Sequence, residues 1–288
     1  MGSGANLHTL VLTLGTDVMA VARLTAGGRA LAFDLDGTIY LREQALPGAV
    51  ELIDYLHRAG VPHVFATNNS SASGASYVAR LNSMGIPAVR QQLLTSNDAA
   101  AGHLRASGVT RAYLVATEEV RAEYAAVGVY HDPESPQAVL LTFDTSIDYA
   151  KVVAAATLLR GGTPYFATHP DLVCPTPDGP IPDAGSFAAL FEAATGRTPT
   201  VLGKPSRAMA EAIRQRLGAG RDTAPSITFV GDRLYTDVRM ANENGFTAVL
   251  TLIGEATTAD LAQSVYRADL VVSGLPELLD YLGSTAAT

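Results

Sequence analysis

The run Leu31-Ala32-Phe33-Asp34-Leu35-Asp36-Gly37-Thr38 closes an apolar stretch with two aspartates separated by a single residue. Two residues of extended chain span about 6 to 7 Å and point the same way. Asp34 and Asp36 can therefore flank one reacting atom, as nucleophile and acid, while Leu35 turns back into the core. Gly37 lets the chain leave the strand sharply. Two carboxylates held that close repel each other by about 4 kcal/mol at 4 Å and an effective dielectric of 20, so the pair calls for a cation. A hard divalent ion such as Mg2+ prefers oxygen ligands and suits the site. A calcium loop does not fit: with Asp34 at its first position, the glycine position falls on Ile39 and the bidentate glutamate position on Ala45.

The elements that must hold these residues are apolar strands without alternation, as expected where both faces of a parallel sheet are covered. Arg29 to Phe33 is the first, and ligands in open α/β sheets gather at the carboxyl ends of such strands. Val61 to Ala66 is the second and delivers Thr67-Asn68-Asn69-Ser70-Ser71. Ser226 to Val230 is another and delivers Gly231-Asp232-Arg233-Leu234-Tyr235-Thr236-Asp237. Lys204 stands just ahead of a helix whose stripe is Met209, Ile213 and Leu217, with Ser206 placed to cap it. Thr247 to Leu252 and Leu270 to Val272 read as further strands, and Pro276 to Leu282 as a closing helix. Proline and glycine at 47 and 48 open a helix with Val50, Ile53 and Leu56 on one face, and Gly60 ends it.

From about Ser96 the α/β alternation restarts. Strands are expected over 112–116, 138–143 and 164–167, and helices over 99–106, 118–126, 149–159 and 184–195. Five prolines between His169 and Asp183 predict a stiff, non-regular loop there. The fold class is thus α/β: a doubly wound, Rossmann-like parallel-sheet core with an inserted second α/β unit. The expected domains are a core of 30–95 plus 200–288 and a cap of 96–199, preceded by an N-terminal extension over 1–29. That extension is apolar from Leu7 to Leu24 but interrupted by Asp17 and Arg23, which argues against a signal peptide or membrane span. Met19 is an alternative start.

The 28 acidic and 20 basic residues, for a net charge of −8, argue against a nucleic-acid surface, which needs clustered Lys and Arg. A hydrophobic content of 48% over 288 residues is ample for a large core. Cys174 is the single cysteine, so no intrachain disulfide can form and a reducing cytoplasm is the simplest compartment. The histidines lack zinc spacing. There is no dinucleotide G-x-G-x-x-G after a strand and no G-x-S-x-G elbow, and the stretch from Gly196 to Lys204 fails as a P-loop because Pro205 takes the Ser/Thr position.

Taken together, Asp34-Leu35-Asp36-Gly37-Thr38, Thr67-Asn68-Asn69-Ser70-Ser71, Gly203-Lys204-Pro205-Ser206 and the segment Gly231 to Asp237 resemble the four motifs of the haloacid dehalogenase superfamily. The insertion resembles the type II cap of its NagD-like, 4-nitrophenylphosphatase branch. The resemblance implies a phosphatase in which Asp34 attacks phosphorus to give an aspartyl-phosphate. Asp36 then protonates the leaving oxygen and activates water. It implies Mg2+ held by Asp34, the Asp36 carbonyl and Asp232, with Asp237 a ligand or neighbour. By the same carry-over Thr67 and Lys204 hold the phosphoryl oxygens, Asn68 orients them, and Gly37 and Thr38 line the substrate site. A homodimer through the cap is expected because such dimers occur in that branch.

The proline-rich loop, with His169, Asp171 and Asp183, resembles the family's substrate-facing segment. From Gly161 to Gly196 it carries no Lys or Arg, while Asp171, Asp178 and Asp183 are present. Such a lid repels a second anion and accepts hydrogen bonds from hydroxyls. The expected substrate is therefore a small phosphorylated metabolite, a sugar or nucleoside monophosphate. Phosphoglycolate or 4-nitrophenyl phosphate hydrolysis, phosphomutase chemistry and a non-catalytic phosphate-binding regulator are the alternatives.

Overall fold

The computed structural model describes residues 30–176, 178–218 and 226–283. The extension expected over 1–29 and Pro177 of the proline-rich loop lie outside the described residues. Among those described, no helix is long and apolar enough to cross a membrane. The chain forms two compact units: one from the described residues through Ala66, Arg80–Gln92 and Ile213 onward, the other from Thr67–Ala79 and Leu93–Ala212.

The first unit is built on parallel strands in the order Leu270–Val272, Thr247–Thr251, Ile227–Gly231, Ala30–Phe33 and His63–Thr67. Every residue of these five strands is buried. That is why the apolar runs in the sequence do not alternate: neither sheet face meets water. The register pairs Phe33 with Val230 on one side and Phe65 on the other, so neighbouring strands stop at one level. Helix Ala49–Arg58 buries Ala49, Leu52, Ile53 and Leu56. Gly48 precedes it with φ 82°, where an added Cβ would press on Pro276 of the closing helix Leu275–Gly283. Two short helices, Arg239–Asn244 and Thr258–Gln263, and a π-helical turn, Leu234–Val238, are not marked by the sequence pattern.

The second unit has its own parallel sheet, in the order Thr200–Val201, Tyr165–Ala167, Ala138–Leu141, Arg111–Val115 and Tyr130–His131. Its direction of winding reverses between Arg111–Val115 and Ala138–Leu141, the crevice position of doubly wound folds. Leu114 and Leu140 pack on one face with Leu104 and Tyr124; Val115 and Val139 pack on the other with Leu159 and Phe191. The units part at other points than residues 95 and 200. Ser70 explains the grouping of 67–79 with the later chain: its hydroxyl accepts the Phe143 N–H at 2.8 Å and pairs with the Thr168 hydroxyl at 2.9 Å. Asn97 donates to the Ser70 carbonyl as well.

The segment between His169 and Asp183 is not wholly irregular, contrary to the expectation from its prolines. Val173–Cys174 and Ile181–Pro182 form a minimal antiparallel hairpin. With both strands at an edge, Pro182 sits where a missing N–H is tolerated.

Candidate active site

In the first unit the acids gather at the carboxyl ends of adjacent strands. The Asp34 N–H donates to the Val230 carbonyl at 2.8 Å, extending the ladder one residue beyond Phe33 and setting Asp34 beside Gly231 and Asp232. Asp34, Asp232 and Asp237 are all buried, and each offers a carboxylate oxygen within 4.8 Å of the others. Asp237 reaches the cluster because the turn Leu234–Val238 folds it back: its Oδ2 accepts the Arg233 N–H at 3.1 Å. Asp232 is gripped more closely. Its Oδ2 accepts the Glu255 N–H at 2.8 Å and its Oδ1 faces the Thr38 hydroxyl at 3.4 Å.

Three glycines make this crowding possible. A Cβ on Gly37 or Gly254 would overlap Asp232 Oδ2, and one on Gly231 would overlap the Asp237 carboxylate. Gly37 also has φ 85°, a conformation that side chains resist. Burial, followed by repulsion from Asp34 and Asp237, pushes the Asp232 carboxyl well above the ordinary range. Three buried carboxylates without a cation among them are electrostatically unfavourable, and an all-oxygen donor set fits a hard divalent ion.

Asp36 stands apart from that trio. Its Oδ2 accepts from the Tyr40 hydroxyl at 3.1 Å, and Arg80 lies over the Tyr40 ring at 5.0 Å. Burial first, and the Asp34 charge second, push its carboxyl up to about 6. It can therefore carry a proton near neutrality, which a general acid requires.

The second unit holds the other polar residues. Thr67 ends the strand His63–Thr67 and its Oγ1 accepts the Asn69 N–H at 3.0 Å. Asn68 clasps the Lys204 peptide at both ends: its Oδ1 accepts the Lys204 N–H at 2.7 Å and its Nδ2 donates to the Lys204 carbonyl at 3.1 Å. Gly203 has no room for a side chain, since a Cβ would overlap the Thr168 carbonyl and approach Asn68 Oδ1. The same Asn68 Nδ2 donates to Asp171 Oδ2 at 3.1 Å. His169 lies between Asp171 and Asp183, and Asp183 also accepts the Ala184 N–H at the start of helix Ala184–Thr195.

Sequence reasoning singled out the aspartates but not Tyr40, Arg80, Gly254 or Glu255, which set the surroundings of Asp36 and Asp232. Gly254 and Glu255 lie 22 residues and more beyond Asp232 in a stretch with no local signal. Tyr40, only four residues after Asp36, was available in the motif and would be read as core.

Comparison with known proteins shows the family. A family model described as haloacid dehalogenase-like hydrolase matches residues 31–130, and a second HAD-hydrolase-like model matches residues 201–278. The solved 4-nitrophenylphosphatase of Thermotoga maritima is 36% identical, covers 91% of this chain and 99% of its own, and superposes with a TM-score of 0.84. A glycerol phosphate phosphatase of Mycobacterium tuberculosis, solved in complex with magnesium, is 31% identical with a TM-score of 0.80, over 88% of this chain and 77% of that one. A 5′-nucleotidase of Bacillus subtilis is 28% identical over 86% of this chain and 96% of its own length. Motif order, strand-end acids and these similarities lead to one conclusion: the chain belongs to the haloacid dehalogenase-like hydrolases and is a phosphatase of the NagD-like kind.

Proposed function

We propose that the protein is a Mg2+-dependent phosphomonoesterase that works through an aspartyl-phosphate on Asp34. The observation that carries this reading is the convergence of buried Asp34, Asp232 and Asp237 within 4.8 Å. Asp34, the Asp36 carbonyl and Asp232 would hold the ion, with Asp237 a ligand or close neighbour. When bound, Mg2+ offsets the carboxylate charge and draws charge from the phosphoryl oxygens.

An Asp34 carboxylate oxygen forms a bond to phosphorus as the bond to the leaving oxygen breaks, and the Asp36 proton passes to that oxygen. Asp36, now a carboxylate, takes a proton from water, whose oxygen attacks phosphorus and frees Asp34 and phosphate. Thr67 and Lys204 hold the phosphoryl oxygens and Asn68 orients them, roles supported by motif order, and Gly37 and Thr38 border the substrate. The functional halves of this reading are a catalytic core of 30–95 plus 200–288 and a specificity cap of 96–199. A cytoplasmic setting and a cap-mediated homodimer belong to the same proposal, the latter tested by sedimentation of the purified chain.

The substrate class follows from the cation-free stretch Gly161 to Gly196. A neutral, hydroxyl-rich leaving group, on a sugar or nucleoside monophosphate, suits it better than phosphoglycolate or a bisphosphate. Relatives named for nucleotide and glycerol phosphate hydrolysis are consistent with that choice. Phosphate release across a phosphomonoester panel, with and without Mg2+, tests both parts. Asp34→Asn is expected to fall to background with every substrate. A panel led by phosphoglycolate would overturn the substrate class. Transfer to a second sugar hydroxyl without phosphate release would make the protein a mutase, and full activity in Asp34→Asn would remove the covalent route.

A further inference from the structure

His169 is almost fully buried, at 1% exposure, yet both of its ring nitrogens face carboxylates: Nδ1 lies 3.4 Å from Asp171 Oδ2 and Nε2 lies 3.5 Å from Asp183 Oδ1. That Asp171 oxygen also accepts Asn68 Nδ2, and Asn68 grips the N–H and the carbonyl of Lys204. A line of close contacts thus runs from Asp183 through His169, Asp171 and Asn68 to the Lys204 backbone, all within the second unit; among the described residues neither ring nitrogen of His169 makes a hydrogen bond, while Asn68 is hydrogen-bonded to both Asp171 and Lys204.

The far end of the line is anchored firmly. The Gly185 N–H donates to the Asp171 carbonyl at 2.9 Å, and the Asp183 N–H donates to the Leu172 carbonyl at 3.0 Å. Asp183 itself caps helix Ala184–Thr195, and Ser186 donates to Leu172 at 2.6 Å. A Cβ on Gly185 would overlap the Pro170 carbonyl, so the loop and the helix start are pressed together. The hydrogen bonds that join Asp171, Asn68 and the Lys204 backbone specify a single arrangement of the Asn68 amide, and removing one leaves its partner unsatisfied.

We infer that His169, Asp171 and Asp183 act as positioning residues: they orient Asn68, and through it the Lys204 backbone, rather than touching substrate. This inference rests on the reading of Lys204 as a phosphoryl ligand. The asparagine amide can bind both ends of the Lys204 peptide in one orientation only, and Asp171 selects that orientation by demanding the NH2 group on its side. The His169 imidazole fills the space between Asp171 and Asp183, at 3.4 and 3.5 Å, and Asp183 caps the helix beside it.

A double-mutant cycle with Lys204 separates positioning from general support, because groups that act through one another are non-additive. The measurements are kcat, KM and thermal midpoint for Asp171→Asn, His169→Gln and Asp183→Ser, alone and combined with Lys204→Ala. Lys204→Arg replaces the alanine background where turnover is too slow to follow. Asp183→Ser keeps an oxygen to cap the helix, so it isolates the imidazole contact if another variant unfolds.

The expected result is a loss in kcat/KM of about tenfold or more for Asp171→Asn, within the roughly hundredfold that a 1 Å misplacement can cost. In the Lys204 background the same change should cost less than about twofold, the sign of a shared route. Losses of equal size in both backgrounds, or wild-type kcat/KM in folded single variants, overturn the inference while leaving the role of Lys204 standing. Wild-type turnover by Lys204→Ala overturns the reading of Lys204 and the positioning line together.

Discussion

Asp232 is the most constrained of the acids: backbone N–H, hydroxyl, two glycines and two further carboxylates surround it. Gly254→Ala should therefore displace its carboxylate, cost about 1 to 3 kcal/mol by overpacking, and weaken Mg2+ binding, read by calorimetric titration. Asp36 gives a pH test with a definite sign. Its carboxyl rises from an ordinary 3.8 to about 6 in the fold. Between those values the folded chain holds a proton that the unfolded chain has released, so stability falls as pH rises through that window. Asp36→Asn removes the penalty. In chelator, it should be more stable than the parent above pH 6, by at most about 3 kcal/mol for a shift of this size. The difference should vanish below pH 4, and thermal midpoints across that range check it.

At the scale of elements, Gln92 joins three of them. Its Nε2 donates to His57 Nε2 of helix Ala49–Arg58 and to His63 Nε2 of the strand His63–Thr67, each at 3.0 Å, from the turn Arg90–Gln92. Its Oε1 accepts the Val89 N–H, which fixes the direction of the amide, and His63 Nδ1 donates to the Val61 carbonyl at 3.0 Å. A proton added at His63 Nε2 would meet the Gln92 donor head on. Burial, with a smaller push from His57, holds the His63 imidazole below its ordinary 6.5. The unfolded chain then takes up the proton first, so stability is lost as pH falls below about 6.5. His63→Phe should show a shallower loss between about pH 7 and 5; an unchanged slope in urea melts would exclude His63 as its source.

At the scale of the whole molecule, the acid trio belongs entirely to the first unit. Added Mg2+ should slow amide exchange at the trio's own segments, 34–40 and 231–256, while leaving the sheet strand Ala138–Leu141 unchanged. Uniform protection throughout the chain would mean that the ion acts elsewhere. The placement of the acids at strand ends was legible in the chain because motif spacing and strand periodicity are local: Asp34 and Asp36 follow an unbroken apolar run, and Asp232 follows another. The same local patterns marked both α/β sheets and most of their helices. What sequence could not supply was the set of contacts between distant segments. Gly254 and Glu255 meet Asp232 only because the chain after Thr251 turns back over the strand end. His169 carries no signal in the sequence for its neighbours, and the fold buries it between two carboxylates. Periodicity reports which face of an element is covered, whereas the partner that covers it is chosen by packing and hydrogen-bond satisfaction across the fold.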